Sequence, residues 1–343
     1  MLMNDSRPFI SIIMPIRNEE AFIAQSLSAV LAQDYPHEQM EILIADGMSD
    51  DETRHIIQEI ALNSAIGIKI IDNPKRIVPT GFNAALKQAK GEIIIRVDGH
   101  CEIASDYVSH CVQYLQENEI AGVGGPIETI CLNKMGETIA VAMSSTFGVG
   151  GSSFRVVKNR EIFVDTLAFP AYRRKVINHA GDLDEELVRN QDDEYNYRLT
   201  SLGYRLLLTP KIKSKYYSRG SLHKLWRQYH QYGIYKVRVM QKHPRQMQPR
   251  QFAPLLLVCS VIGGAILSPF HGWFRRVWLV SVGFYGLANI MASVWTASKA
   301  GWHHLRLLPV VFATLHFSYG LGFLRGLVKF HDRWNDTEGK TNE

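Results

Sequence analysis

Asp98, Gly99 and His100 close an apolar run, EIIIRV at residues 92–97, that reads as a strand. A carboxylate and an imidazole two residues apart, separated by the residue that takes any backbone angle, finish a strand poorly unless something binds there. Asp98 offers a hard oxygen ligand. His100 offers a nitrogen that suits Mn²⁺ better than Mg²⁺, so the pair has the chemistry of metal ligands. Two further segments are of the same kind: Pro15-Ile16-Arg17-Asn18-Glu19 and Asp46-Gly47-Met48-Ser49-Asp50-Asp51. The acidic run Asp192-Asp193-Glu194 could supply a general base. Helix neighbours lie ~100° apart, so only one or two of its carboxylates can face one site. Taken singly, each group has an ordinary explanation as a turn, a solvated helix start or a cap, and Ser49-x-x-Glu52 fits a capping box.

These groups need elements to position them, and the first hundred residues supply a regular alternation. FISIIMPI (9–16), EILIAD (41–46), GIKIID (67–72) and EIIIRVD (92–98) read as buried strands, with helical spacing in EEAFIAQSLSAVLAQ, TRHIIQEIAL and PTGFNAALKQAK between them. Four strand–helix alternations predict an α/β fold with a mainly parallel sheet covered by helices on both faces. Ligands in such sheets bind at the carboxyl ends of the strands, where Asn18, Asp46 and Asp98 stand.

The second half is of another kind. Runs of 24, 22 and 18 residues without Lys, Arg, Asp or Glu follow Arg250, Arg276 and Arg306, giving candidate spans at 252–270, 277–298 and 307–324. Positive residues flank every run, and Pro254 and Pro269 bracket the first. The charge rule therefore does not decide between three crossings and an arrangement with one re-entrant segment. Upstream, Leu222, Leu225, Trp226, Tyr229, Tyr232, Val237 and Met240 fall at helical spacing among basic residues. That pattern fits a helix in the membrane interface as well as one packed on a soluble domain. The division predicted is 1–217 catalytic, 218–250 interfacial, 251–330 transmembrane and 331–343 a polar tail.

A formal net charge of +5 over 343 residues is too small to argue for nucleic acid, and none is expected as a partner. The four cysteines form no C-x-x-C pair, which speaks against a zinc site or a disulfide framework and for a reducing compartment. The opening residues, MLMNDSRPF, have no apolar core of signal-peptide length. FGVGGSSFR (147–155) reads as a flexible loop near an acceptor, since no helix clearly follows it to make a phosphate cradle.

PIRNEE, ADGMSDDET, RVDGH and QDDEYNYRLTSLGYRL, in that order, resemble the P-x-x-N-E, D-G-S-x-D-x-T, D-x-D and E-D-x-[DE]-L-x-x-R-L segments of the inverting family 2 glycosyltransferases. VDTLAFPAYRRKV and GDLDEELVRNQDDEYNYRL are most similar to the bacterial exopolysaccharide transferases of the succinoglycan ExoA type. The resemblance implies a GT-A fold, a Rossmann-like mixed sheet that binds nucleotide-diphosphate sugars, followed by transmembrane helices. It implies that Asp46 meets the base or ribose, with Asn18 and Glu19 in the same pocket. It implies further that Asp98 and His100 hold the diphosphate through Mn²⁺ or Mg²⁺, and that Asp192 is the base with Asp193 its nearest competitor. Pro15, Arg17, Ser49, Asp51, Gly81, Asn83 and Arg227 join the donor-binding set. Arg227 lies in a stretch only loosely similar to a Q-x-x-R-W segment, and could equally meet lipid phosphates. Two positions depart from the pattern: His100 stands for the second Asp, and Gln191 for a Glu. The activity implied is transfer of a sugar, from a UDP-sugar by preference, to a lipid-linked saccharide in exopolysaccharide or cell-surface glycan synthesis. The place implied is the cytoplasmic side of the inner (plasma) membrane, in a multi-pass protein. A processive synthase and a non-catalytic nucleotide-sugar-binding membrane protein are the alternatives.

Overall fold

The computed structural model describes residues 7–131, 133–150, 159–218 and 220–335. They divide into two compact units, Met1–Thr129 with Ser153–Tyr217, and Ile130–Ser152 with Ser218–Glu343.

The first unit opens with β1 (Ile10–Ile16), α1 (Ile23–Leu31), β2 (Met40–Asp46), α2 (Thr53–Leu62), β3 (Gly67–Asp72), α3 (Val78–Leu86) and β4 (Ile93–Arg96). The four strands pair in parallel as β3-β2-β1-β4. Isoleucine dominates them because a β-branched side chain fits a pleated surface that is covered on both faces. Burial is continuous along β1, yet alternate residues serve different cores. Ile10, Ile12 and Met14 join a cluster on one face with Ile42 and Ile44, while Ile13 joins Leu43 and Ala45 on the other.

The chain continues through β5 (Cys101–Ile103), α4 (Tyr107–Glu117), β6 (Gly122–Gly124) and β7 (Ile127–Cys131). It then makes α5 (Lys134–Met143) and α6 (Thr146–Val149), which belong to the second unit. It returns with β8 (Ile162–Val164), β9 (Ala171–Arg173), α7 (Arg174–Ala180), α8 (Gln191–Ser201), β10 (Leu206–Leu208) and β11 (Ser214–Ser218). β9 lies between β4 and β6, antiparallel to both, and β8 is antiparallel to β10. The result is an eight-stranded mixed sheet, β3-β2-β1-β4-β9-β6-β10-β8, beside a small sheet β5-β11-β7. Three-residue strands carry too little periodicity to be read from sequence, so the expectation of a mainly parallel sheet holds for the first four strands and gives way to mixed pairing beyond β4.

The second unit adds α9 (Leu222–Lys242), α10 (Ala253–Val258), a π-helical turn at Cys259–Gly263, α11 (Gly264–Leu267), α12 (Gly272–Ala300) and α13 (Leu308–Lys329). Three stretches are long and apolar enough to cross a membrane: Pro249–Leu267, Gly272–Ala300 and Leu308–Lys329. The longest starts before Arg275 and Arg276, so both cations sit on its first turn rather than ahead of it. α9 buries Leu225, Tyr229, Ile234 and Val237 in clusters shared with α13. Gly233 is one point of close approach: a Cβ there would lie 2.2 Å from the Tyr319 carbonyl oxygen.

Candidate active site

Strand register aligns the polar groups. Ile16 pairs with Asp46 and Asp46 with Asp72, so β1, β2 and β3 end level. The chain then turns at Asn18, whose left-handed φ of 53° an asparagine tolerates well. Its N–H donates to Ser49 Oγ at 2.9 Å, and its amide bonds Asp50 twice, at 2.6 and 3.1 Å. Ser49 is thereby committed to the site and does not cap α2, the role its spacing suggested. Its N–H and Oγ both donate to Asp46 Oδ1, at 3.1 and 2.6 Å. The Asp46 side chain is fully buried, and Arg54 spans it and Asp72, at 3.4 and 2.7 Å. A buried carboxylate needs such donors, and here they hold it at the mouth of the sheet.

Asp51 supports this loop from behind. It accepts from the N–H groups of Thr53 and Glu20. Burial pushes its carboxyl up, and these hydrogen bonds outweigh that and bring it below the usual carboxylate value. Gly81 and Asn83 also turn out to be packing positions. Gly81 faces Asn73 and Ala45, where a Cβ would meet the Asn73 amide at 2.8 Å. Asn83 spends its amide on the Leu183 backbone, at 2.8 and 3.0 Å, and on Glu185. The resemblance places both in the donor set, and their contacts also brace α3 and the segment leading to α8. Pro15 is buried in β1 and Arg17 is exposed just past it, beside Gly47.

Beyond β4, Arg96 donates to Asp98 through Nε at 3.0 Å and Nη2 at 3.4 Å. His100 pairs with Glu19. Its Nδ1 lies 2.9 Å from Glu19 Oε1, and its ring meets Tyr216 edge-on with centroids 4.8 Å apart. The glycine between Asp98 and His100 is required by space: a Cβ at Gly99 would stand 2.9 Å from both Glu19 Cγ and Ile16 Cγ2. Close approach of two strand-end loops therefore accounts for the glycine at position 99.

α8 begins at Asn190, another left-handed residue with φ 63°, and puts three acids in its first turn. Their environments differ. Glu194 is buried and forms a two-point ion pair with Arg198, at 3.0 and 2.9 Å, while Arg198 Nη1 donates to the Ala180 and Asp182 carbonyls. Asp192 reaches solvent, yet enough protein surrounds it that desolvation raises its carboxyl above the ordinary value. Arg96 pulls the Asp192 carboxyl down and Asp193 pushes it up. Gln191 is buried, and its Oε1 has no hydrogen-bond partner among the described residues.

The structure thus gathers Asn18, Glu19, Asp46, Ser49, Asp98 and His100 at one sheet edge, with Asp192 tied to them through the field of Arg96. Arg227 lies on α9, in the second unit. Gly151–Arg155 of the glycine-rich segment lies outside the described residues. Sequence reasoning missed Arg54, Asp72 and Arg96. Arg96 had left a signal, a guanidinium inside an otherwise apolar strand, which rarely stays there unpaired. Among the described residues no group of three metal-capable side chains gathers.

A mixed sheet with carboxylates at its parallel strand ends and a separate acid on a following helix defines a GT-A glycosyltransferase domain. The chain belongs to glycosyl transferase family 2, whose profile matches residues 11–181. It is 32% identical over 329 residues to the dolichyl N-acetyl-alpha-D-glucosaminyl phosphate 3-beta-D-2,3-diacetamido-2,3-dideoxy-beta-D-glucuronosyltransferase of Methanococcus voltae, covering 94% of this chain and 98% of that one. It is 29% identical over 324 residues to the succinoglycan biosynthesis protein ExoA of Rhizobium meliloti, covering 94% and 96%. The solved mannosyltransferase PcManGT of Pyrobaculum calidifontis, in complex with GDP-Man and Mn²⁺, shares the fold at a TM-score of 0.59 and 17% identity, over 95% of this chain and 88% of that one. The protein is a glycosyltransferase, with apolar helices after its catalytic unit that fit membrane association.

Proposed function

We propose that the enzyme moves a sugar, with inversion, from a nucleotide-diphosphate sugar to a lipid-linked saccharide on the cytoplasmic face of the plasma membrane. The observation that carries this is the meeting of Asp46, Asp98 and Asp192 around one sheet edge in three different states. Asp46 is buried and held by donors, which suits it to a fixed role against base or ribose. Asp98 is partly buried and paired to a guanidinium. Asp192 is exposed with a carboxyl raised by desolvation, which makes it a stronger base than an ordinary carboxylate.

The reaction balances on these groups. An acceptor hydroxyl attacks the anomeric carbon, the bond to the diphosphate breaks, the nucleoside diphosphate leaves with its electron pair, and Asp192 receives the hydroxyl proton. A divalent cation would supply charge neutralisation to the leaving diphosphate. The residues fit such an ion. Mg²⁺ and Mn²⁺ in phosphate sites take one or two carboxylates and complete their shells with phosphate oxygens and water, and Asp98 is placed to be that carboxylate. Glu19 facing His100 Nδ1 selects the tautomer with its lone pair on Nε2, the usual support of a metal-bound histidine. The fold neighbour's GDP-Man and Mn²⁺ support the same reading. The dolichyl phosphate in one relative's name and the succinoglycan role in the other's support a lipid-linked acceptor. UDP-sugars are the first donors to try.

The test is nucleotide release from UDP-, GDP- and dTDP-sugars by the full chain in lipid, with lipid extract as acceptor and Mn²⁺, Mg²⁺ or EDTA added. Release that needs a cation and disappears in Asp98→Ala and Asp192→Ala supports the assignment. Undiminished release in Asp192→Ala removes the base.

A further inference from the structure

Three apolar helices invite three crossings, but α13 does not pack as a lipid-facing span. α9 runs beside it in the same direction along its length. His230 meets Ser318, Gly322 closes on the His230 carbonyl, Gly326 on Ile234, Tyr235 meets Lys329, and Gln241 donates to the Phe330 carbonyl at 2.6 Å. Any depth that α13 reached, α9 would reach beside it, with Lys224, Arg227, Lys236, Arg238 and Lys242 aboard. Charged side chains at that density do not cross hydrocarbon. The first half of α13 is also covered by α5, whose Ile139, Ala142 and Met143 share a cluster with Leu308, Val311 and Phe312. α5 is ten residues long and carries Lys134 and Glu137. Only Val310, Arg325, Val328 and Lys329 of α13 stand exposed. Its apolar sequence is that of a core helix.

The preceding segment behaves oppositely. Pro249–Leu267 and α12 form a hairpin, tied by Trp278 Nε1 donating to the Val261 carbonyl at 2.9 Å and by Gly264 against the Trp278 ring. Its outer surface is apolar and open, with Ile266, Phe270, Val280, Phe284 and Met291 each more than half exposed. The charge-free 22 residues from Val277 to Ser298 span ~33 Å as a helix, against a hydrocarbon core of ~30 Å. Trp273 and the exposed Arg275 and Arg276 at the tip suit a far interface and would be stranded at mid-depth in a re-entrant turn. α13 touches both arms in turn: Pro309 meets Asn289, His316 meets Tyr285, and further on Gly320 meets Pro254 and Phe323 meets Phe252.

We infer that the hairpin alone crosses the membrane, its outer face in contact with lipid chains, while α9 and α13 stay together on the side from which it enters. Two crossings also resolve the charge pattern. Lys242, Arg245, Arg250, Lys299 and Arg306 fall at the base of the hairpin and only Arg275 and Arg276 at its tip, so the base is the cytoplasmic side.

The inference rests on the membrane-bound part of the proposed function and is tested without catalysis. In full-length protein carrying Cys131→Ser and Cys259→Ser, single substitutions Lys224→Cys, His271→Cys, His303→Cys and His331→Cys are labelled with a membrane-impermeant maleimide in right-side-out and inverted vesicles. Expected is labelling of 224, 303 and 331 from one side and of 271 from the other. Labelling of 331 with 271 establishes three crossings and overturns the inference, and labelling of all four from one side overturns it too. Protease access to a tag placed after Glu343 in the otherwise native chain repeats the test without cysteine changes. The expected pattern in a protein that turns over no donor would sink the transferase mechanism and leave the topology standing.

Discussion

Asp192→Asn keeps the shape of the side chain and removes its capacity to take a proton, which isolates the proposed base. A general base contributes roughly 10²–10⁴ in rate, or about 2.7–5.5 kcal/mol of barrier, so kcat is expected to fall by that factor while the KM for donor changes little. Asp193 lies ~100° further round the helix, and Asp193→Asn is expected to cost less than about tenfold. The pH profile adds a second readout. The Asp192 carboxyl is raised by desolvation against the pull of Arg96, so kcat should fall as pH drops through a value above the ordinary carboxylate range near ~4. Arg96→Met removes the pull and should move that acid limb higher still. Stability gives the opposite sign. The folded state holds this proton more tightly than the unfolded chain, so the contribution of Asp192 is present in acid and lost as pH rises through its folded value. Asp192→Asn is therefore expected to melt slightly above the native protein at neutral pH and to lose that margin in acid. Steady-state kinetics of nucleotide release across pH, with melting in the same lipid, would check both. A rate within tenfold of native, or a larger loss in Asp193→Asn, refutes the assignment.

Arg198→Ala strands the buried Glu194 carboxylate without its two-point partner, which typically costs about 3–5 kcal/mol, and a sharp drop in the melting temperature should show it. Asp46→Ala removes the acceptor of the Ser49 donors and is expected to weaken donor binding by about tenfold or more in calorimetry, whether or not an acceptor is present. Removing divalent cations with EDTA should weaken donor binding in the native enzyme and have little effect in Asp98→Ala, where the ligand is already gone. Gly322→Leu would force α9 and α13 apart, since even a Cβ there would lie 2.1 Å from the His230 carbonyl oxygen; overpacking of this kind costs about 1–3 kcal/mol and should lower the melting temperature in detergent.

The site was largely legible because its parts follow from local pattern. A parallel strand–helix alternation places strand ends at one edge, and the polar residues there, Asn18, Asp46, Asp98 and His100, can be named before any pairing is known. Their roles were less legible. Whether Ser49 caps a helix or accepts from the Asn18 N–H, and whether Asn83 meets a ligand or the Leu183 backbone, depends on partners 31 and 100 residues away. Spacing along the chain carries no information at that range.

Apolar length likewise determined that three helices in the second unit could enter a membrane, since hydrophobicity per residue is a property of the sequence. It could not say what each apolar face meets. α12 turns its leucines and valines outward, while α13, of nearly the same composition, turns its own toward α9 and α5. Glycines at 233, 322 and 326 bring those backbones together, and their meaning exists only once both helices are in place. Composition sets which surfaces must leave water; tertiary structure alone decides whether they leave it for lipid or for each other.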